Sequence, residues 1–119
     1  MIKHDWVQEF PVAITVVNTE GVILEMNNKS AETFKADGGM ALIGTNSLAC
    51  HPEPSRTKLQ RMLETPQSNL YTIEKAGKKK LICQIPWRHE GIISGIVELS
   101  IELPADLPHF VRDQQNIDD

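Results

Sequence analysis

The 119-residue chain is long enough for one ordinary domain and too short for two substantial ones. With 40% hydrophobic and 24% charged residues it has the composition of a globular protein, and a formal charge of -4 leaves no electrostatic case for nucleic acid. No apolar run reaches the roughly 18 residues of a membrane span, and the opening MIKHDWVQEF lacks the apolar stretch of a signal peptide, so the expectation is a cytoplasmic protein with no membrane contact and with Cys50 and Cys83 reduced.

Residues 1–10 place Ile2, Trp6 and Phe10 four apart, the spacing of one helical face, and Pro11 ends the segment; an amphipathic N-terminal helix is predicted. The apolar runs VAITVV (12–17) and VILEM (22–26) flank NTEG (18–21), where Asn18 can start a turn and Gly21 can take a positive φ: a β-hairpin. NKSAETFK (28–35) carries an asparagine cap and spaces Ala31 and Phe34 three apart before two glycines, which predicts a short helix. Residues 40–54 show no sustained period and read as helical turns and loop. SRTKLQRMLET (55–65) aligns Leu59, Met62 and Leu63 on one stripe and stops at Pro66, a longer helix.

Strands are predicted at 71–74, 80–88 and 92–102, separated by KAGK and HEG, both of hairpin length. Pro86 lacks a backbone donor, which points to an edge position or a bulge. In the last strand Val97, Leu99 and Ile101 alternate with Glu98, Ser100 and Glu102, and in the preceding one Leu81, Cys83, Ile85 and Trp87 share a parity. The apolar parity is expected to face the helices, leaving Ala13, Val17, Ile23, Ile82 and Ile96 on the outer face. The predicted fold class is α+β: a five-stranded antiparallel sheet with short helices packed on one face, plus the N-terminal helix. The domain spans 11–103, and 104–119 is a polar tail.

Several short segments resemble the PAS family of sensory domains. GVILEMNNKSAETF (21–34) is similar to the family's first hairpin and the asparagine-opened helix after it, with Asn28, Ala31, Glu32 and Phe34 in matching places. LIGTNSLACHPEP (42–54) resembles the glycine and the His-Pro-acidic lead-in to the long helix, through Gly44, His51, Pro52 and Glu53. Where many members close the last strand with Asp-Ile-Thr, this chain has Ser100-Ile101-Glu102. The resemblance covers about residues 10–103 and implies a sensory or signalling module that binds a small ligand or a protein partner.

Cys50-His51-Pro52 is the one segment that invites a chemical reading. Pro52 confines His51 to extended backbone, and side chains of adjacent extended residues diverge, so Cys50 and His51 do not make a nucleophile and base on one substrate. No Ser/His/Asp set, HExxH, phosphate-binding glycine loop or paired-cysteine zinc pattern occurs, and no enzyme is expected. The structural reading, a helix lead-in capped by Glu53 or Ser55, stands beside a sensing role for a histidine that titrates near neutrality. Haem is the sharper alternative that the resemblance implies, through His51, although the c-type CxxCH signature is absent. The cofactor is otherwise undetermined.

A ligand pocket is expected among Cys50, His51, Cys83, Ile85 and Trp87, and a homodimer interface among Trp6, Phe10, Val17 and Ile23. The alternative is a pure dimerisation module with a filled core. The residues present contain no output element, which leaves two readings: the chain acts through a separate signalling protein, or it is a fragment of a longer protein.

Overall fold

The computed structural model describes residues 5–113, without the side chains of residues 49 and 50. Asn18 closes the first turn. Its side-chain oxygen accepts from the backbone N–H groups of Glu20 (2.9 Å) and Val22 (3.0 Å), turning the chain from β1 (Ala13–Asn18) into β2 (Ile23–Met26). The other three strands, β3 (Asn69–Lys75), β4 (Lys78–His89) and β5 (Ile92–Leu103), are joined by two-residue turns. Ala76-Gly77 and Glu90-Gly91 have positive φ at both positions, the mirror-image turn whose twist matches that of antiparallel strands.

The strands form one antiparallel sheet in the order β2-β1-β5-β4-β3. Its first and last strands therefore lie side by side at the centre, paired from Ala13↔Ser100 to Asn18↔Gly95. Pro86 sits where the sequence left room for it. β3 stops opposite Gln84, so Pro86 has no neighbour on that side to require its missing N–H, and the register shifts just beyond it, between Trp87 and Arg88.

Between the two strand groups run α2 (Asn28–Thr33), three 3-10 turns (Lys35–Asp37, Gly39–Leu42, Ser47–Cys50) and α3 (Ser55–Glu64). Asn27, only 2% exposed, anchors this stretch. Its Oδ1 accepts from the N–H of Ser30 at the helix start and from that of Ile14 in β1, while its Nδ2 donates to the carbonyls of Val7 and Val12. The core joins Leu59 and Met62 of α3 to Val17, Ile23, Met26, Ile96 and Leu42.

That core corrects the predicted facing of the sheet. Val17, Ile23 and Ile96 lie under α3, and Ala13 and Ile82 share their buried side, so the parity expected to face outward faces the helices. Leu81, Cys83, Ile85, Trp87, Val97, Leu99 and Ile101 lie on the opposite face. Alternation fixes which residues share a face; which face the helices cover is decided by tertiary packing.

The N-terminal helix α1 is confined to Asp5–Gln8 within the described residues, and Ile2 falls outside them. Trp6 (63% exposed) and Phe10 meet edge to face, with ring centroids 5.5 Å apart. From Pro104 to residue 113 the chain forms no helix or strand, and residues 114–119 fall outside the description. No described helix is long and apolar enough to cross a membrane.

Candidate functional site

One register row crosses the helix-covered face as an unbroken polar line: Thr15 in β1, Glu98 in β5, Gln84 in β4 and Asn69 in β3. Three of the four are bonded in sequence, and the fourth bonds to α2. Asn69 Nδ2 donates to Gln84 Oε1 (2.9 Å), Gln84 Nε2 donates to Glu98 Oε1 (2.9 Å), and Thr15 shares a hydroxyl hydrogen bond with Ser30 of α2. Gln84 is 1% exposed, a burial that only a satisfied amide tolerates cheaply.

His51 closes this line from the helical side. Pro52 holds its backbone extended (φ -113°, ψ 124°), and the turn Ser47–Cys50 delivers its ring to the sheet. Nδ1 lies 2.9 Å from the Ser47 carbonyl and Nε2 3.2 Å from Glu98 Oε1. Both partners are acceptors, and only the imidazolium has two N–H donors to satisfy them. Burial pushes the His51 pKa down, but the hydrogen bond and charge of Glu98, with the Ser47 carbonyl, outweigh it and hold the ring above its ordinary value of 6.5. On the next turn Glu53 accepts from the Thr57 hydroxyl (2.7 Å) and N–H (3.2 Å), which lowers its carboxyl pKa and secures the start of α3. The helix lead-in is thus both a cap and a carrier of His51.

Beside the polar line a cavity of about 340 Å3 opens between the sheet and the helical stretch. Its floor carries Ala13, Ile82, Ser100 and Glu98; Phe34, just past the end of α2, and His51 with Pro52 form its roof. Tyr71 borders it, its phenol pKa raised by burial and by the Glu98 charge against a hydrogen bond from Ser55. Lys75 and Lys80 stand at the far end. A second void of about 20 Å3 shares Thr15, Phe34, His51 and Glu98 with it and is bordered by Ser47, whose buried Oγ has no hydrogen-bond partner among the described residues. The volume falls at the lower end of small-molecule sites, with an apolar body and polar groups at both ends.

Of the residues singled out from sequence, His51 lines this cavity. The Cys50 side chain lies outside the description. Cys83, Ile85 and Trp87 do not line it, because their parity places them on the opposite sheet face. Trp87 instead spans Gly95 and donates its indole N–H to the Val17 carbonyl (3.0 Å); a Cβ on Gly95 would collide with that carbonyl and with the indole nitrogen. Val17 and Ile23 are core residues and cannot form a dimer surface, whereas Trp6 and Phe10 are exposed. With both ring nitrogens of His51 engaged, neither is offered to a haem iron in this arrangement.

The sequence reading missed Thr15, Gln84, Glu98, Tyr71, Lys75 and Lys80. The signal was present in the alternation itself: polar residues at every second position of β5 were taken for a solvated face, when they are the lining of a concave one.

Comparison with solved structures places this geometry in a known fold. The PAS domain of the histidine kinase ThkA aligns at TM-score 0.60 and 18% identity, covering 75% of this chain and 96% of that one. The Aer2 receptor from Vibrio cholerae, described as a dual PAS-heme oxygen sensor, aligns at 0.54 and 17%, covering 78% and 95%. VqmA from Vibrio cholerae bound to DPO aligns at 0.64 and 16%, covering 85% of this chain and 56% of that one. No protein-family model matches the chain, and no curated protein matches its sequence. At these identities the likeness establishes the fold, and the chain has the PAS fold.

Proposed function

We propose that a chain with this fold works as a non-catalytic sensory module, taking a small ligand into the cavity between α2, α3 and the sheet and pairing through its outer sheet face. The observation that carries the ligand reading is that Thr15 and Glu98, members of a hydrogen-bonded polar line across the sheet, border a 340 Å3 cavity with an apolar body. A core built only for packing has no use for four polar side chains in one row, since hydrophobic residues of similar volume fill the space without the cost of desolvation. VqmA bound to DPO, and the description of Aer2 as a heme sensor, support ligand binding as a use of the fold.

The pairing reading rests on the outer face. Ile14, Val16, Val97, Leu99, Ile101 and Leu81 lie in neighbouring registers there, a contiguous apolar surface. A second copy covers it in this account, with Trp6 and Phe10 at the rim, and a separate cytoplasmic signalling protein reads the outcome.

Native mass spectrometry with an absorption spectrum tests both. The expected result is a dimer that carries, or takes up from a metabolite mixture, one small molecule per chain. A monomer with no uptake from any mixture would remove both halves of the proposal.

A further inference from the structure

We infer that the ligand is an organic monocarboxylate with an apolar body, its acid group held by Lys75 and Lys80 at the cavity mouth. This rests on the ligand reading of the cavity and goes on to name the chemistry it accepts.

The mouth opens into a second depression of about 400 Å3 that shares Thr33, Lys75, Lys80 and Ser100 with the cavity. Lys29, Lys75, Lys78 and Lys80 line it, against Glu32 and Glu102. Both glutamates are already paired, Glu32 with Lys29 (3.1 Å) and Glu102 with Lys78 (3.6 Å). Lys75 and Lys80 make no ion pair among the described residues. Four of the twelve Lys and Arg residues of a chain with net charge -4 thus gather at one opening, and Lys80 lies in register with the same Glu102 that Lys78 already holds.

The hairpin makes this crowding costly. Lys75 stands directly opposite Lys78 across the β3–β4 ladder, and Lys80 follows two residues on along the same face. Like charges directly opposite destabilise a pair of strands. A solvated turn needs no such arrangement, and an anion seated between Lys75 and Lys80 relieves it. Lys79, of opposite parity, faces the other side and pairs with Glu74 in register, as an ordinary surface lysine does.

The other end of the cavity explains why only one acid group is expected. Lys80 and the Gln84–Glu98 row are four residues apart along β4, roughly 13 Å at a strand's rise per residue, and Lys75, opposite Lys78, lies further out still. Between them lie Ile82, Ala13 and Phe34, an apolar stretch. At the inner end His51 is already paired with Glu98 and offers a second acid group no free cation, while the hydroxyls of Ser100, Tyr71 and Thr15 along the cavity suit a neutral hydrogen-bonding group. An acid head, an apolar body and an uncharged polar tail fit in that order.

Calorimetric titration with octanoate, octanamide and 8-hydroxyoctanoate tests the assignment on wild-type protein and on the Lys75→Gln, Lys80→Gln double variant, with Lys79→Gln as control. Octanoate is expected to bind about tenfold more tightly than octanamide, the worth of one charge-assisted hydrogen bond, with 8-hydroxyoctanoate at least as tight as octanoate. The double variant is expected to lose that preference while keeping its affinity for octanamide, and Lys79→Gln to keep both. Equal binding of octanoate and octanamide by wild-type protein would overturn the carboxylate assignment and leave the cavity reading intact. Failure of all three probes to bind would overturn the assignment together with the cavity reading.

Discussion

His51 and Glu98 meet across the cavity, Nε2 to Oε1 at 3.2 Å, and tie the lead-in of α3 to the middle of β5. Forty-seven residues separate them in sequence. Through Ser47 on one side and Gln84 and Asn69 on the other, that contact extends one hydrogen-bonded chain from the helical stretch across three strands. In the proposed function, a ligand that displaced the imidazolium would shift the start of α3 relative to the sheet.

This contact makes stability depend on pH with a definite sign. Glu98 faces His51 from β5, Tyr71 borders the same cavity from β3, Arg56 of α3 donates to the His51 carbonyl, and Lys75 and Lys80 stand at the far mouth. With its pKa raised, His51 binds its proton more tightly in the folded chain than in the unfolded one. Its contribution is therefore complete below the ordinary value of 6.5 and disappears as pH rises through the folded value. His51→Gln is expected to cost about 1–2 kcal/mol at pH about 5.5 and clearly less at pH about 8.5, measured by urea unfolding. A cost independent of pH would show that the imidazolium form is not the one held.

Asn27 is expected to be the most sensitive polar position. Asn27→Ala removes the cap of α2, the bond to Ile14 N–H and the donors to Val7 and Val12, and should destabilise by about 2–4 kcal/mol. Asn27→Asp retains the acceptor and loses the two donations, so an intermediate loss is expected in the same unfolding experiment.

Gly95→Ala should separate β1 from β5. The added Cβ meets the Val17 carbonyl and the Trp87 indole nitrogen at distances that real atoms do not occupy. The expected result is a loss above about 3 kcal/mol with a red-shifted Trp87 emission, whereas Trp87→Phe, which forfeits only the bond to Val17, should cost about 1 kcal/mol.

A charge on the outer face should dissolve the proposed pairing without touching the cavity. Leu99→Arg lies on the face opposite Glu98 and Ser100 and is expected to convert a dimer to a folded monomer, read by light scattering after gel filtration. Unchanged mass in the variant would place the interface elsewhere.

The elements were legible in the sequence because their signals are local. Asn18 and the glycine-bearing two-residue turns each act through neighbours within a few residues, and strands and helices appear close to where those signals put them, although the cap of α2 is Asn27 and not an asparagine of the 28–35 segment. The facing of the sheet was not legible. Val97, Leu99 and Ile101 alternate with Glu98, Ser100 and Glu102 as a half-buried strand should, yet the helices cover the polar side. In a domain built around a hydrated or ligand-filled cavity, the concave face can be more polar than the convex one, and the usual rule then misplaces Cys83, Ile85 and Trp87 together. His51 escaped this error because Pro52 fixes its position without reference to the sheet. The N-terminal helix was read from a spacing that includes Ile2, outside the described residues, within which it spans Asp5–Gln8.

The most direct test of a ligand-accepting concave face is a map of amide and methyl NMR shifts as octanoate, or any ligand found by mass, is titrated in. The account predicts that Ile82, Ser100, Glu98 and His51 shift together, with Val97, Leu99 and Ile101 largely unmoved. Shifts confined to Val97, Leu99 and Ile101 would place the site on the outer face and contradict it.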